Sequence, residues 1–239
     1  MRAVNVVGFK DTGKTTLCVE LIRGLAALGV DAAALKFTHQ AGLDKPGTDT
    51  AKLFEVSPSV AAVGGSESAL FWRAKKSLAD ILPLLGQDML VVEGGKSLMV
   101  MPRIVIARNA AEAGELCADG LALAVYGPDG MDGVPDGVPV MRDVRELARM
   151  ASGRAFLLPG LDCGACGRTD CRALAAQIVA GQARACECVS LAGEMSVTVN
   201  GVPLPLNPFV ARIFRAGITA MLRELKGYAP GDVRISLRE

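Results

Sequence analysis

The chain has 239 residues, of which 51% are hydrophobic and 21% charged, which argues against disorder and allows one large domain or two small ones. Lys and Arg number 26 against 25 Asp and Glu, so the formal charge is +1 and there is no electrostatic footprint for nucleic acid. No apolar run reaches the length of a membrane span, and the pattern of the first residues is not the one expected of a signal peptide. We therefore expect a cytoplasmic protein that binds neither membrane nor nucleic acid.

The first part of the chain alternates apolar and amphipathic segments, which predicts an α/β fold with a doubly wound sheet. Strands are predicted at Ala3–Val7, Ala32–Phe37, Val60–Val63, Ala69–Trp72, Met89–Val92, Ile104–Ala107, Leu121–Val125 and Val138–Met141. Helices are predicted at Thr15–Leu28, from near Asp49, at Ser77–Leu85 and at Val144–Ala151.

Near residue 153 the pattern changes, which divides the chain into residues 1–152 and 153–239. We expect the second part to be a small α+β domain. Its predicted elements are a linker at Phe156–Gly160, a helix at Arg172–Ala180, a hairpin of Met195–Val199 and Val202–Leu206 around Asn200-Gly201, a helix from Pro208 to Gly227, and a last strand over Val233–Leu237.

A glycine-rich turn after the first strand matches G-x-x-x-x-G-K-[ST] from Gly8 to Thr15. In a P-loop NTPase such a turn points backbone N–H groups at a phosphate, the lysine (Lys14) reaches the β- and γ-phosphates, and the hydroxyl (Thr15) ligates Mg²⁺. The predicted nucleotide-binding residues are Gly8, Lys10, Asp11, Thr12, Gly13, Lys14, Thr15 and Thr16.

Acidic residues at two places are candidates for the metal and for hydrolysis. Glu93 ends an apolar strand, where a second Mg²⁺ group is expected, acting through water. Asp44 and Asp49 follow the second strand and either position the metal or attacking water or serve as turn and cap residues. His39, the only histidine in the sequence, lies beside this loop. Together with Lys14 of the glycine-rich turn and Asp49, it is a catalytic candidate.

Four segments resemble the molybdopterin-guanine dinucleotide biosynthesis adapter (MobB) family. They are GFKDTGKTTL from Gly8, LKFTH from Leu35, DKPGTD from Asp44 and VVEGGK from Val91. The resemblance covers about residues 1–152 and departs from the family at Gln40, where a second histidine is frequent.

The resemblance implies GTP with Mg²⁺, weak hydrolysis at most, and service to the guanylyltransferase that attaches GMP to molybdenum cofactor, with molybdoenzyme maturation proteins as further partners. It also indicates a homodimer. Independently of the resemblance, the residues do not distinguish GTP from ATP as the bound nucleotide, because the chain has no [NT]-K-x-D guanine motif.

Five of the seven cysteines lie within 26 residues, at Cys163, Cys166, Cys171, Cys186 and Cys188. Three closely spaced thiols and a distant fourth suit a [4Fe–4S] cluster, which takes four cysteine ligands. The segment from Cys163 resembles the small [4Fe–4S] domain of RsxB-type and corrinoid iron–sulfur proteins. That resemblance favours Cys188 as the fourth ligand, with Cys186 as the alternate.

Other readings of the cysteines remain open, namely a zinc site or unligated thiols. A structural zinc adaptor and a nucleotide-dependent chaperone for metallocentre maturation are the alternative functions. Cys18 and Cys117 are predicted to be small core residues.

Overall fold

The computed structural model describes residues 1–38, 40, 42–44, 46–128, 131, 133–192, 195–199, 202–229, 231 and 233–236. The chain divides into two compact units, Met1–Leu157 and Leu158–Glu239. The first unit extends five residues beyond the expected end at 152 because Leu157 packs against its core, beside Leu90 and Val92.

The first unit is built on a six-stranded parallel sheet in the order β2-β5-β1-β6-β7-β8, with β3 and β4 forming a separate antiparallel hairpin. The strands are β1 (Arg2–Gly8), β2 (Ala32–Lys36), β3 (Ser59–Val63), β4 (Ser68–Trp72), β5 (Met89–Glu93), β6 (Arg103–Ile106), β7 (Ala122–Tyr126) and β8 (Val140–Met141). The helices are α1 (Lys14–Ala27), α2 (Asp49–Val56), α3 (Leu78–Ile81), α4 (Ala110–Cys117) and α5 (Val144–Arg154).

Helices cover both faces of the sheet. Successive residues of a strand point to opposite faces, so one strand contacts helices on both sides. In β1, Val4 and Val6 pack in one cluster with α1 and α5, whereas Val7 packs in another with α4. The expected doubly wound α/β class is therefore confirmed.

In the first unit, two helices differ clearly from the sequence prediction. The stretch Ser77–Leu85 breaks after α3 into a 3₁₀ turn, Leu82–Leu84, that contains Pro83, whose missing N–H cannot continue the α-helix. Helix α4 was not predicted. The Asn109 side chain caps it by accepting from the Glu112 amide at 3.0 Å, and the buried Cys117 ends it.

The second unit contains α6 (Cys171–Val179), a 3₁₀ turn (Ala185–Glu187), α7 (Val189–Ala192), the antiparallel pair β9 (Val197–Val199) and β10 (Val202–Leu204), and α8 (Pro208–Arg223). The predicted turn residues Asn200 and Gly201 lie outside the described residues. The expected last strand is not found in residues 233–236, the described part of that segment, and Leu237 lies outside it.

Within the described part of the chain, no helix has both the length and the apolar character needed to cross a membrane.

Helices α1 and α5 pack closely at Gly24, because a Cβ there would lie 2.8 Å from Ala148 Cβ. We expect Gly24→Ala to lower the free energy of unfolding by about 1 kcal/mol, since overpacking outweighs the better helix propensity of alanine. Urea unfolding followed by the fluorescence of Trp72, the single tryptophan, measures this.

Gly153→Ala is the matched control, because nothing lies within 4 Å of a Cβ at that helical position. It should raise the free energy of unfolding by up to about 1 kcal/mol. Equal stabilisation by both substitutions would contradict the close packing of α1 on α5.

Candidate functional site

The turn between β1 and α1 forms a candidate anion site. Gly13 occupies the position before α1 with φ 85°, a left-handed conformation that favours glycine, and no side chain caps the helix. The first N–H groups of α1 are therefore available to an anion at the positive end of the helix dipole.

The loop is closed by contacts among its own residues. The Thr12 hydroxyl donates to the Phe9 carbonyl at 2.9 Å, and the Lys14 ammonium donates to the same carbonyl. A Cβ at Gly8 would lie 2.6 Å from Thr12 Oγ1 and 3.0 Å from the Ile106 carbonyl, so only glycine fits there without a shift.

The remaining predicted loop residues surround this turn. Lys10, Asp11 and Thr16 are exposed, and Asp11 has a left-handed φ of 59°. All the predicted nucleotide-binding residues therefore lie in one contiguous turn and the first turn of α1.

Thr15 and Glu93 meet beside the start of α1, although they are far apart in sequence. The Thr15 hydroxyl donates to Glu93 Oε1 at 2.9 Å. The meeting follows from the sheet order, because β5, which Glu93 ends, pairs with β1, which leads into the loop. A hydroxyl and a carboxylate are oxygen ligands of the kind that Mg²⁺ takes, so these two residues fit that ion.

Two lysines that the sequence analysis did not select also lie here. Lys36 Nζ is 2.9 Å from Glu93 Oε1 and 3.4 Å from Thr15 Oγ1. Lys96 Nζ lies 3.9 Å from the centre of the Phe9 ring, a cation–π contact. Lys36 stands in LKFTH and Lys96 in VVEGGK, two of the segments that carry the family resemblance. The sequence therefore contained a signal for both residues, but only the folded structure shows that they lie beside the glycine-rich turn.

The acidic residues that follow β2 form hydrogen bonds and an ion pair within their own segment. Asp44 Oδ2 accepts from the Thr50 hydroxyl at 2.6 Å and from the Thr48 hydroxyl at 3.2 Å, and Thr48 in turn caps α2. Asp49 pairs with Lys52 at 3.0 Å, and 94% of its side chain is exposed. Among the described residues no contact joins Asp49 to the phosphate loop, and His39 lies outside the described residues.

Four cysteines of the second unit line one pocket. These are Cys163, Cys166, Cys171 and Cys188, whereas Cys186 is exposed and is not among the lining residues. Counting its opening to solvent, the pocket has an empty volume of about 300 Å³. Its other walls are mostly apolar, formed by Pro159, Leu161, Leu174 and Val189.

Four thiols in one pocket are a ligand set that either a zinc ion or an iron–sulfur cluster takes. In the described residues, no three or more His, Cys, Asp or Glu side chains are arranged to hold one metal ion. Burial raises the pKa of the Cys171 thiol, and metal coordination would offset this because it favours the thiolate.

The guanidinium of Arg168 forms hydrogen bonds to the segments that carry these thiols. Arg168 donates to the Cys166 carbonyl at 2.9 Å, to Gln177 Oε1 at 3.0 Å and to Glu187 Oε2 at 2.7 Å. Its bond to Glu187 raises the pKa of Arg168 and lowers that of Glu187. Sequence reasoning missed this residue, because its three partners come together only in the folded unit.

Two family models match separate stretches of this chain. Residues 3–126 match the family model described as "Molybdopterin guanine dinucleotide synthesis protein B" (MobB), and residues 158–190 match "Putative Fe-S cluster". A "Putative molybdopterin-guanine dinucleotide biosynthesis adapter protein" of Methanocaldococcus jannaschii is 30% identical over 234 residues, which are 95% of this chain and 93% of that protein. The chain belongs to the MobB family. That alignment covers so much of this chain that it spans residues of both units.

Solved structures show the same fold. The crystal structure of a MobB protein homolog from Bacillus stearothermophilus matches with a TM-score of 0.50 and 24% identity, covering 64% of this chain and 100% of that one. A crystal structure of molybdopterin-guanine biosynthesis protein B matches with a TM-score of 0.52 and 22% identity, covering 63% and 98%. At these identities the likeness concerns the MobB fold alone.

The two remaining cysteines are buried in the MobB unit, and their environment sets their reactivity. Burial raises the pKa of Cys18 to about 12 and that of Cys117 to about 11. At pH 8 we expect iodoacetamide to leave both thiols unmodified in the folded chain, since the thiolate is the nucleophile. Peptide mass spectrometry measures the modified fraction over time.

Cys186 is the internal control, because it is exposed and should be modified in the folded chain. In denaturant Cys18 and Cys117 should react as well. Modification of Cys18 in the folded chain at the rate of Cys186 would contradict its burial.

Proposed function

We propose that this MobB-family chain is a GTP·Mg²⁺-binding adapter in molybdopterin guanine dinucleotide biosynthesis, and that its second unit holds a [4Fe–4S] cluster. The observation that carries the nucleotide part is the bond of Thr15 to Glu93 at the uncapped N-terminus of α1. It places a hydroxyl and a carboxylate beside N–H groups that suit a phosphate.

In this proposal each loop residue has a definite task. The backbone from Gly8 to Thr16 surrounds the phosphates, and the ammonium of Lys14 turns from the Phe9 carbonyl to the β- and γ-phosphates. Thr15 is a direct ligand of Mg²⁺, and Glu93 acts through water. The metal, when bound, offsets the charge of the phosphates.

Hydrolysis should be slow. Asp49, the candidate for positioning water, lies in an exposed pair with Lys52 and makes no contact with the phosphate loop among the described residues. Slow turnover suits an adapter that keeps the nucleotide for a partner. The proposed partner is the guanylyltransferase of the pathway, in the cytoplasm, with the adapter acting as a homodimer.

The cluster part rests on the four thiols that share one apolar pocket. Cys163, Cys166, Cys171 and Cys188 are the proposed ligands, and Cys186 lies outside that pocket. Thiolates are the ligands that iron–sulfur clusters take, and the match of residues 158–190 to an Fe-S family model supports the assignment.

Calorimetry with GTP and ATP in the presence of Mg²⁺ tests the nucleotide part. GTP should bind, and Lys14→Ala should weaken binding about 10- to 100-fold, the loss expected for a charge-assisted hydrogen bond. Lys75→Ala removes an exposed lysine outside the loop and should leave the affinity unchanged. Binding of ATP without binding of GTP would contradict the role in guanylation.

Iron, sulfide and zinc analysis after anaerobic purification tests the cluster part. We expect about four irons and four sulfides per chain, as a [4Fe–4S] cluster requires. Cys188→Ser should lose most of both, whereas Cys186→Ser, the matched control two residues away, should retain them. One zinc per chain without sulfide would contradict the cluster, and loss in Cys186→Ser alone would reassign the fourth ligand.

A further inference from the structure

Lys36 has no task in the proposed function, yet its ammonium lies against both groups assigned to Mg²⁺. The Lys36 Nζ to Glu93 Oε1 distance is 2.9 Å, and the Nζ to Thr15 Oγ1 distance is 3.4 Å. Thr15 Oγ1 is itself 2.9 Å from Glu93 Oε1. The three atoms therefore form a closed triangle.

The sheet fixes this arrangement. Lys36 ends β2, and its Cα is in register with that of Glu93 at the end of β5. Just beyond, the Phe37 amide donates to the Glu93 carbonyl at 2.9 Å, so the pairing continues past both side chains. The Glu93 side chain is only 13% exposed, and Lys36 is the cation paired with it. The backbone ladder thus places the Cα of Lys36 opposite that of Glu93, and the Lys36 side chain, which is 56% exposed, reaches the carboxylate from there.

We infer that Lys36 is a built-in counter-ion that competes with Mg²⁺ for Thr15 and Glu93 and stands in for the ion when no metal is bound. This inference rests on the proposed nucleotide function. An ammonium has three donors and one positive charge, so it satisfies the same oxygen atoms as a metal ion, with half the charge. Lys36 Nζ is 3.4 Å from Thr15 Oγ1, the proposed direct ligand, so a metal ion bound there would strongly repel the ammonium and one of the two cations has to move away.

This arrangement determines how nucleotide binding depends on metal. Without Mg²⁺, Lys36 together with Lys14 supplies two positive charges at the phosphate end of the site, so the nucleotide still binds. With Mg²⁺, Lys36 has to be displaced, which reduces the gain in affinity from the metal. Lys36 therefore makes the nucleotide affinity in the presence of Mg²⁺ more similar to the affinity in its absence.

The test is the ratio of the GTP dissociation constant in EDTA to that in Mg²⁺, measured by calorimetry on the full chain. Lys36→Gln should raise this ratio about tenfold or more, the size of one charge-assisted hydrogen bond. Lys36→Arg keeps a cation and should stay near the native ratio. Lys75→Gln removes one charge from an exposed lysine elsewhere in the MobB unit and should leave the ratio unchanged.

The possible outcomes distinguish failure of this inference from failure of the proposed function. An unchanged ratio in Lys36→Gln overturns the inference, including the case in which affinity falls equally in both conditions and Lys36 is a simple phosphate contact. Failure of the native chain to bind GTP in either condition overturns the proposed function and this inference with it. Trp72 fluorescence during urea unfolding verifies that each variant is folded.

Discussion

The parallel pairing of β5 between β2 and β1 is the constraint on which the nucleotide end of the MobB unit depends. Glu93 is in register with Lys36 on one side and with Val6 on the other, and β1 continues into the phosphate loop. A carboxylate, an ammonium and the glycine-rich turn therefore meet at the carboxyl ends of three neighbouring strands, where open parallel sheets bind ligands. A slip of one residue would turn Glu93 to the opposite face and separate it from Thr15.

Two buried polar residues hold the segment that follows Glu93. Asn5, in the central strand, donates to the Gly95 carbonyl at 3.2 Å, and Arg103 donates to the carbonyls of Lys96 and Leu98. Burial lowers the pKa of Arg103, while its ion pair with Asp119 acts in the opposite direction. Because an unpaired buried charge is costly, the bonds of Arg103 stabilise the loop that follows Glu93 and carries Lys96.

Local signals made part of this architecture predictable from sequence. The P-loop motif and the apolar strands are short-range patterns, so the turn from Gly8 to Thr15 and the α/β class followed from them. The strand order is a long-range property, and for that reason the contact of Lys36 with Glu93 was not foreseen. Helix α4 was missed because its segment, AAEAGELC, is rich in small residues and lacks a clear apolar stripe.

In the cysteine unit the spacing of the thiols predicted a cluster, but the fold explains how a chain with so little regular structure brings them together. Arg168 bonds to the carbonyl of Cys166, to α6 through Gln177, and to Glu187, the residue before Cys188. A single guanidinium thus joins three thiol-bearing segments, which couples the positions of their sulfur atoms. Its positive charge also lies beside groups that become anionic as thiolates.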